Sequence, residues 1–488
     1  MLFNSFEFLL FFPIVTILYF ILPHKLRWVL LLISSCIFYM AFIPKYILIL
    51  AFTITIDYFI GIVLEKITGD RRKVFLTISI LSNIGILFVF KYFNFFNSNM
   101  LKIADYFDWN YPIQSLKIIL PIGLSFHTFQ SLSYIIEVYR GNQKAERNFG
   151  IFALYVMFYP QLVAGPIERP QNLLKQFYER HYFEIDRVTD GLKLMLWGLF
   201  KKVVIADRLA LFVNQVYGNP ENYIGLQLFT ATLFFAFQIY CDFSGYSDIA
   251  IGAAKVMGFS LMTNFDRPYL SKSIAEFWRR WHISLSTWFK DYVYIPLGGN
   301  RCSASRRYFN LFITFLLSGL WHGANWTYII WGAINGCYQI VSLITKDFRK
   351  KIVTYVKLDK FPYVHNAIQV VITFSLTVFA WIFFRAANFH QAIYILRNMF
   401  VDVFDLGSLN SVVKVAEEIQ LLNKEGLILS LLLIVFLVII ELIQRNIVIR
   451  QAIDKRFPHL KWLVYYAGIF TIIIIGQFSK AQFIYFQF

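Results

Sequence analysis

Long apolar runs separated by short polar connections dominate this sequence. A helical run of about 17–25 residues can cross the ~30 Å hydrocarbon core of a lipid bilayer. Apolar runs near or somewhat outside this length lie near 7–22, 28–43, 46–64, 74–93, 118–139, 226–252, 308–322, 326–345, 363–384, 427–443 and 462–478. The pattern predicts an all-α polytopic membrane protein, with about 12 transmembrane helices if the less regular stretch 191–216 is included.

Two stretches do not fit a simple crossing. Four basic residues, among them Lys201 and Lys202, interrupt the apolar stretch 191–216. This stretch is therefore expected to form either a tilted span or an interfacial helix. Residues 150–163 are too few to cross a bilayer and have basic flanks on both sides, which predicts a re-entrant segment.

The basic residues of the connections predict an orientation. Lys and Arg concentrate in the connections at 24–27, 66–73, 140–147, 346–351 and 444–461. Because basic loops remain in the cytoplasm, the N-terminus, the loop 385–425 and the aromatic tail 479–488 are expected outside the membrane. The first apolar run has neither a basic segment before it nor a small-residue cleavage site, so we interpret it as a retained helix and not as a signal peptide.

The composition excludes several classes of protein. Hydrophobic residues make up 58% of the 488 residues and charged residues only 15%, against roughly 25% charged residues in soluble domains. The net charge of +17 is spread over short clusters between apolar runs, which argues against a nucleic-acid partner and for contact with the lipid bilayer. The four cysteines form no CxxC pair, so neither a disulfide framework nor a zinc site is expected.

Two histidines are the strongest candidates for chemistry. His322 ends the apolar run 308–322, and His282 lies on the aromatic face of a predicted amphipathic helix over 274–290. Ionisable groups at membrane depth are costly and usually functional. An apolar setting favours a neutral ring with a lowered pKa at His322, which could act as a general base. The alternative is a hydrogen-bonded packing residue or a gate.

Two carboxylates lie within the predicted span 226–252. Asp242 and Asp248 need partners at that depth, and they could either pair with arginines to fix the packing or orient a catalytic group. The histidines are 40 residues apart with no third histidine near, so no metal site is expected. The sequence also contains no G-x-S-x-G motif for a serine nucleophile.

Several long motifs resemble those of the membrane-bound O-acyltransferases. They are FWRRWHISLSTWFKDYVYIPLGGNR, SGLWHGANWTYIIWG, VAGPIERPQNLLKQF, QIYCDFSGYSDIAIG and the terminal FIYFQF. The resemblance is to the bacterial branch that takes part in O-acetylation of alginate and peptidoglycan, with teichoic-acid D-alanyl transfer more distant. It covers nearly the whole chain.

The resemblance implies a single integral-membrane domain over 1–488, built as a funnel-like helical bundle with its catalytic segment in 226–345. It implies transfer of an acyl group from a cytoplasmic donor to an acceptor outside, with His322 essential and His282 supporting. No bound cofactor is implied, and acetyl-CoA is the expected donor substrate. Its phosphates would meet basic residues on the cytoplasmic side, which could otherwise be structural: Arg279, Arg280, Lys290 and Arg301.

Further expectations concern the surroundings of the reaction. Asp242, Asp248 and Asn325 are expected as supporting polar residues. The Tyr485 hydroxyl could carry the acyl group to an extracytoplasmic acetyltransferase or esterase-like partner, although an aromatic interface anchor is the alternative for this tail. The expected acceptor is a polysaccharide, and the expected location is the bacterial cytoplasmic membrane. D-alanyl transfer toward teichoic acid and a non-enzymatic acyl-donor channel are the alternative functions.

Overall fold

A computed structural model describes residues 1–401, 426–445, 449, 459, 461–478 and 484 of the chain. All regular secondary structure in these residues is helical. The α-helices are α1 (Phe6–Ile21), α2 (His24–Met40), α3 (Ile47–Lys66), α4 (Arg71–Leu87), α5 (Phe93–Tyr106), α6 (Leu124–Arg140), α7 (Phe149–Met157), α8 (Tyr159–Leu162), α9 (Pro170–Gln176), α10 (Ile185–Leu199), α11 (Asp207–Gly218), α12 (Leu226–Met257), α13 (Ile274–Arg280), α14 (Ile283–Phe289), α15 (Ala304–His322), α16 (Trp326–Ile344), α17 (Lys346–Tyr355), α18 (Pro362–Arg385), α19 (Phe389–Asn398), α20 (Gly426–Gln444) and α21 (Lys461–Ile475).

The lengths and apolar character of the helices confirm the all-α polytopic membrane class. Within the described residues, six helical segments are long and apolar enough to cross a membrane. They are Pro44–Lys66, Arg71–Tyr106, Leu226–Met257, Trp326–Ile344, Pro362–Arg385 and Gly426–Gln444. Two shorter apolar helices, Phe6–Ile21 and Lys461–Ile475, lie at predicted crossings as well. The other predicted crossings coincide with helices that are shorter or more polar.

The first compact unit contains Met1–Met195 and Tyr246–Thr263. Its core joins α2, α3, α4, α6 and α7. Asp57 on α3 is fully buried and accepts hydrogen bonds from Ser79 Oγ at 2.6 Å and Asn83 Nδ2 at 2.9 Å, both on α4. The buried carboxylate is thus satisfied by uncharged donors, which links α3 to α4 inside the unit.

The predicted re-entrant segment lies in this first unit. It forms two short helices, α7 and α8, and residues 151–167 are buried throughout. Asn148 Oδ1 caps α7 by accepting from the backbone N–H of Gly150 at 2.9 Å. A segment this short cannot cross a bilayer, so burial inside the protein is what satisfies its apolar side chains.

The second compact unit contains Leu196–Gly245 and the described residues from Asn264 onward. Its core is rich in aromatic side chains from α12, α13, α16 and α18, with Trp281, Trp331 and Trp381 each 1% exposed. The antiparallel neighbours α15 and α16 make the most extensive helix–helix contact in the described chain. Both candidate histidines belong to this unit.

Several predicted boundaries are corrected by the structure. The predicted continuous helix over 274–290 is two helices, α13 and α14, because the backbone of His282 is left-handed with φ 44° and ψ 55°. The run 118–139 becomes helical only at Leu124, after Gly123 with φ 77°. The run 74–93 continues as helix to Tyr106. Residues 402–425 of the predicted external loop lie outside the described residues.

The ambiguous stretch 191–216 is helical along its whole length. It begins in α10, passes through a π-helical segment at Phe200–Ala206, and ends in α11. Lys201 and Lys202 are each only 3% exposed. An interfacial helix would extend its lysines to water. The burial of both lysines therefore favours an internal helix over an interfacial one.

Candidate active site

His322 lies at the reversal between α15 and α16. It is the last residue of α15, and the chain continues through extended Gly323 with φ −165°. Asn325 then caps α16, with its Oδ1 accepting from the Thr327 N–H at 3.1 Å and its Nδ2 donating to the Ala387 carbonyl at 2.8 Å. Asn325, which the sequence suggested as a supporting polar residue, therefore fixes the turn beside His322.

Two glycines allow α15 and α16 to approach closely. A Cβ added to Gly319 would lie 2.3 Å from the Tyr328 carbonyl oxygen, and one added to Gly332 would lie 2.5 Å from the Phe315 carbonyl oxygen. Real Cβ atoms do not approach other atoms so closely, so only glycine fits at these two positions. This close approach of the two helices determines where the last turn of α15, and with it His322, lies against α16.

The His322 ring lies among aromatic side chains. The residue is 5% exposed, and its ring centroid is 4.8 Å from that of Trp321, 5.0 Å from that of Trp331 and 5.2 Å from that of Phe384. The Trp331 ring meets the imidazole at an interplanar angle of 88°. These rings hold the imidazole in one place and keep most of the water away from it.

His282 is held by a polar network in an otherwise apolar setting. Its Nδ1 is 3.1 Å from Asn264 Oδ1, which also accepts from the Ser284 N–H at 3.2 Å and from Ser284 Oγ at 2.9 Å. A backbone N–H can only donate, so the Asn264 atom is the oxygen and His282 Nδ1 must carry the proton. The lone pair of the neutral ring is therefore on Nε2.

Burial keeps His282 uncharged at neutral pH. The residue is 1% exposed, and its ring centroid is 4.6 Å from that of Phe243 on α12. Desolvation lowers the pKa of His282 to about 3 from an ordinary value of 6.5. The left-handed backbone at this position is uncommon for a residue other than glycine, and the hydrogen bonds to Asn264 provide the local restraint that holds it.

The two histidines belong to one aromatic cluster. The Trp321 ring centroid is 6.4 Å from that of His282 and 4.8 Å from that of His322. A second chain of ring contacts runs from His282 to His322 through Phe265, Trp281, Trp381 and Trp331. The structure therefore brings together two side chains that are separated by 40 residues in the sequence.

Asp242 does not contact either histidine ring in the described hydrogen bonds. Its Oδ1 pairs with Lys202 Nζ at 2.6 Å, and Lys202 Nζ also contacts Asp207 Oδ1 at 2.7 Å. The expectation that arginines pair with this carboxylate is wrong, because the partner is a lysine. Asp248 lies in the first unit and is half-buried.

The basic candidates differ in accessibility. Arg279, Lys290 and Arg301 are exposed on α13, after α14 and before α15, respectively. Arg280 is half-buried and its guanidinium pairs with Glu276 at 2.6 Å. Three of the four positive charges are therefore accessible to an anion, whereas the fourth is largely neutralised by its neighbour.

Three important residues could not be identified from the sequence pattern. Asn264 orients His282, and Lys202 pairs with both Asp242 and Asp207. Asn264 lies in an irregular connection with no periodicity, and Lys202, which pairs with Asp242, is 40 residues away from it in the sequence. Lys202 and Asp207 did carry a weak signal, because charged residues in an apolar run require partners. Tyr485 lies outside the described residues.

The region that contains these site residues matches a known protein family. The model of the membrane-bound O-acyltransferase (MBOAT) family matches residues 146–387, a range that contains both histidines and Asn264. The chain is also 40% identical over 448 residues to the probable alginate O-acetylase AlgI of Pseudomonas aeruginosa, covering 90% of this chain and 81% of the relative. The chain belongs to the membrane-bound O-acyltransferase family.

Two further relatives extend the comparison. The peptidoglycan O-acetyltransferase of Helicobacter pylori is 34% identical over 76% of this chain and 73% of its own length. The teichoic acid D-alanyltransferase of Bacillus subtilis is 28% identical over 55% of this chain and 70% of its own length. Membership of the MBOAT family confirms the predicted enzyme class, a membrane O-acyltransferase, and the predicted multi-pass membrane character.

Proposed function

We propose that this protein transfers an acetyl group from a cytoplasmic thioester to hydroxyl groups of an extracytoplasmic polysaccharide, directly or through a partner transferase. The observation that carries the proposal is the buried His322 in an aromatic cluster shared with His282. The identity of 34–40% to proteins named alginate O-acetylase and peptidoglycan O-acetyltransferase supports acetyl as the group and a glycan as the acceptor. Acetyl-CoA is the proposed donor.

In the proposed reaction, neutral His322 takes the proton of an acceptor hydroxyl, and the hydroxyl oxygen attacks the thioester carbonyl carbon at the same time. The carbon–sulfur bond breaks, the ester remains on the acceptor, and the thiolate receives the proton from the imidazolium. Atoms and charge therefore balance without a metal or a redox partner. General-base catalysis of this kind contributes about 10²–10⁴-fold in rate.

His282 has a different proposed role. Its Nδ1–H is committed to Asn264, which leaves Nε2 as an acceptor in the same aromatic cluster as His322. We assign it the positioning of a hydroxyl or of an ordered water near the reacting groups, because an acceptor with a fixed direction can orient a donor. Asn264 then acts through His282 by fixing its ring.

The exposed charges of Arg279, Lys290 and Arg301 are the proposed attraction site for the donor phosphates. We further propose that the protein lies in the bacterial cytoplasmic membrane, with these three charges on the cytoplasmic side and both ends of the chain outside. Tyr485 is the proposed acyl relay to an extracytoplasmic partner. The relay fails if Tyr485→Phe leaves acetylation unchanged.

The test uses the full-length protein purified in detergent or reconstituted in liposomes. With acetyl-CoA labelled in the acetyl group and a glycan oligomer as acceptor, the wild type is expected to form a labelled ester, whereas His322→Ala is expected to form none. Trp326→Phe, an exposed position four residues away, is the control. Transfer from a D-alanyl carrier protein in place of acetyl-CoA would identify the alternative donor. Passage of the label without ester formation would identify a channel.

A further inference from the structure

A group of three charged side chains is buried within the second unit. Lys202, Asp207 and Asp242 have side chains only 3–4% exposed. The Lys202 ammonium contacts one oxygen of each carboxylate, at 2.7 Å and 2.6 Å. One positive charge thus faces two negative ones, so the cluster has acceptor capacity that lysine alone does not satisfy. Burial makes an unsatisfied carboxylate oxygen costly.

The second oxygen of Asp242 binds a distant main-chain group. Its Oδ2 accepts from the backbone N–H of Ile484 at 2.7 Å, across 242 residues of sequence. The Ile484 side chain is 1% exposed and belongs to the apolar core of the unit. Because the donor is a backbone amide, this bond fixes the position of the chain itself. Hydrogen bonds to an ionised acceptor are roughly twice as strong as neutral ones.

Two more contacts hold the end of α21 and the residues just after it against residues 203–208. The Gln477 N–H donates to the Val203 carbonyl at 2.8 Å, within the π-helical segment. Arg208 Nη2 donates to the Ile475 carbonyl at 2.6 Å. These two contacts come from residues 203–208 and the bond to Ile484 comes from α12, so Ile475, Gln477 and Ile484 are each bonded to neighbouring parts of the same unit.

Asp242, which binds the Ile484 N–H, is next in sequence to a residue that contacts His282. Phe243, the residue after Asp242 on α12, packs its ring 4.6 Å from that of His282. The residue after Ile484 in the sequence is Tyr485, the proposed acyl relay. The same turn of α12 therefore contacts His282 through the Phe243 ring and binds the Ile484 N–H through the Asp242 carboxylate.

We propose that Asp242, oriented by Lys202, is a positioning residue that docks the aromatic tail onto α12 for acyl transfer. The docking itself stands on the contacts of Ile484. Its use in transfer rests on the proposed function, because it requires that the tail take part in the reaction. The carboxylate is needed because a donor meets each of its two oxygens, Lys202 Nζ at Oδ1 and the Ile484 N–H at Oδ2, whereas an asparagine would turn its own NH2 donor toward one of them.

The experiment compares Asp242→Asn with Asp207→Asn in the full chain. Both variants remove one negative charge from Lys202, but only the first alters the carboxylate that accepts from the Ile484 N–H. Hydrogen–deuterium exchange, followed by mass spectrometry of peptides that include Ile484, measures the docking, and acetyl transfer from acetyl-CoA measures its use. Peptides from α15 and α16 report whether each variant retains its fold.

In Asp242→Asn, exchange at Ile484 is expected to rise about tenfold or more, as loss of a hydrogen bond to a charged group predicts. Acetyl transfer is expected to fall with unchanged KM for acetyl-CoA, whereas Asp207→Asn retains the protection of the tail. Ile484→Pro, which removes the donor N–H, is expected to match Asp242→Asn, with Ile484→Val as its control. This pair tests the docking independently if an Asp242 variant fails to fold.

Wild-type protection of Ile484 in Asp242→Asn, together with wild-type exchange of the remaining amides of the same peptides in Ile484→Pro, would overturn the docking. Released tails with unchanged acetyl transfer would overturn its role in the reaction. If the wild type transfers no acetyl group while the variants still differ in exchange, the proposed function fails and the docking stands. The two failures can therefore be told apart.

Discussion

Replacing Gly319 by alanine tests whether the close approach of α15 and α16 determines the position of His322. The added Cβ would lie 2.3 Å from the Tyr328 carbonyl oxygen and 3.0 Å from the Gly332 Cα, whereas ordinary contacts begin at 3.4 Å. Both obstacles are backbone atoms, which cannot rotate away. The helices must separate by about 1 Å, and a misplacement of 1 Å at a reacting group can cost about 10²-fold in rate.

We therefore expect Gly319→Ala to lower kcat for acetyl transfer by about 10²-fold although it touches no reacting group. The overpacking should also cost roughly 1–3 kcal/mol of stability. The matched control is Gly336→Ala on the same helix pair, where the new Cβ would meet Phe312 at 3.2 Å and requires a shift of only a few tenths of an ångström. Size-exclusion chromatography and thermal unfolding separate a folded, slow enzyme from an unfolded one. A folded Gly319→Ala protein with the wild-type rate would refute the reasoning.

Three further predictions follow from the site. Asn264→Ala removes the acceptor of His282 Nδ1 and should lower kcat about tenfold or more. Ser284→Ala leaves the bond between Asn264 and His282 intact and should lower kcat less. Equal losses in the transfer assay would contradict the role of Asn264. Burial lowers the pKa of His282 to about 3. Between about pH 3 and 6.5, the unfolded chain therefore binds a proton at this residue that the folded chain lacks. The free energy of unfolding should fall as the pH drops through 6.5. His282→Asn should flatten this dependence in thermal unfolding measured in detergent, and an unchanged slope would assign it to other groups. Arg279→Gln should raise KM for acetyl-CoA more than Arg280→Gln, whose charge is already paired with Glu276, and added salt should reduce the difference.

Hydrophobic periodicity predicts a helix correctly where the residues of that segment alone determine its secondary structure. Residues 226–252 were predicted as a span, and α12 covers Leu226–Met257. The segment around His282 failed because the predicted helix is interrupted by a left-handed residue, and the restraint on that residue comes from Asn264, 18 positions earlier. No local pattern signals a left-handed backbone at a histidine.

The same limit applies to the buried charges. Lys202 in an apolar run indicated a partner, but sequence spacing could not choose between Asp207, five residues later, and Asp242, forty residues later; the structure uses both. Nor could hydropathy place Ile484, because an aromatic tail at a membrane interface and one docked in a core have the same composition. Long-range pairing decides these positions.

The place of His322 within α15 gives a physical reason why it suits a general base better than a packing role. Accepting a proton creates an imidazolium, and His322 is in the last turn of its helix, where the negative end of the helix dipole stabilises a cation by about 0.3–1 kcal/mol at exposed sites and up to ~2 kcal/mol when partly buried. The faces of nearby aromatic rings attract a cation as well, and Trp331 and Phe384 both lie within about 6 Å of the imidazole ring. These attractions act on the charged ring and hardly on the neutral one, so they strengthen as the proton moves. A residue that stabilises the transition state more than the resting state is what catalysis requires.

Phe384→Leu keeps the site apolar but removes one ring, so it should lower kcat several-fold and leave the KM for acetyl-CoA near the wild-type value. A loss in KM alone would show that the ring serves packing.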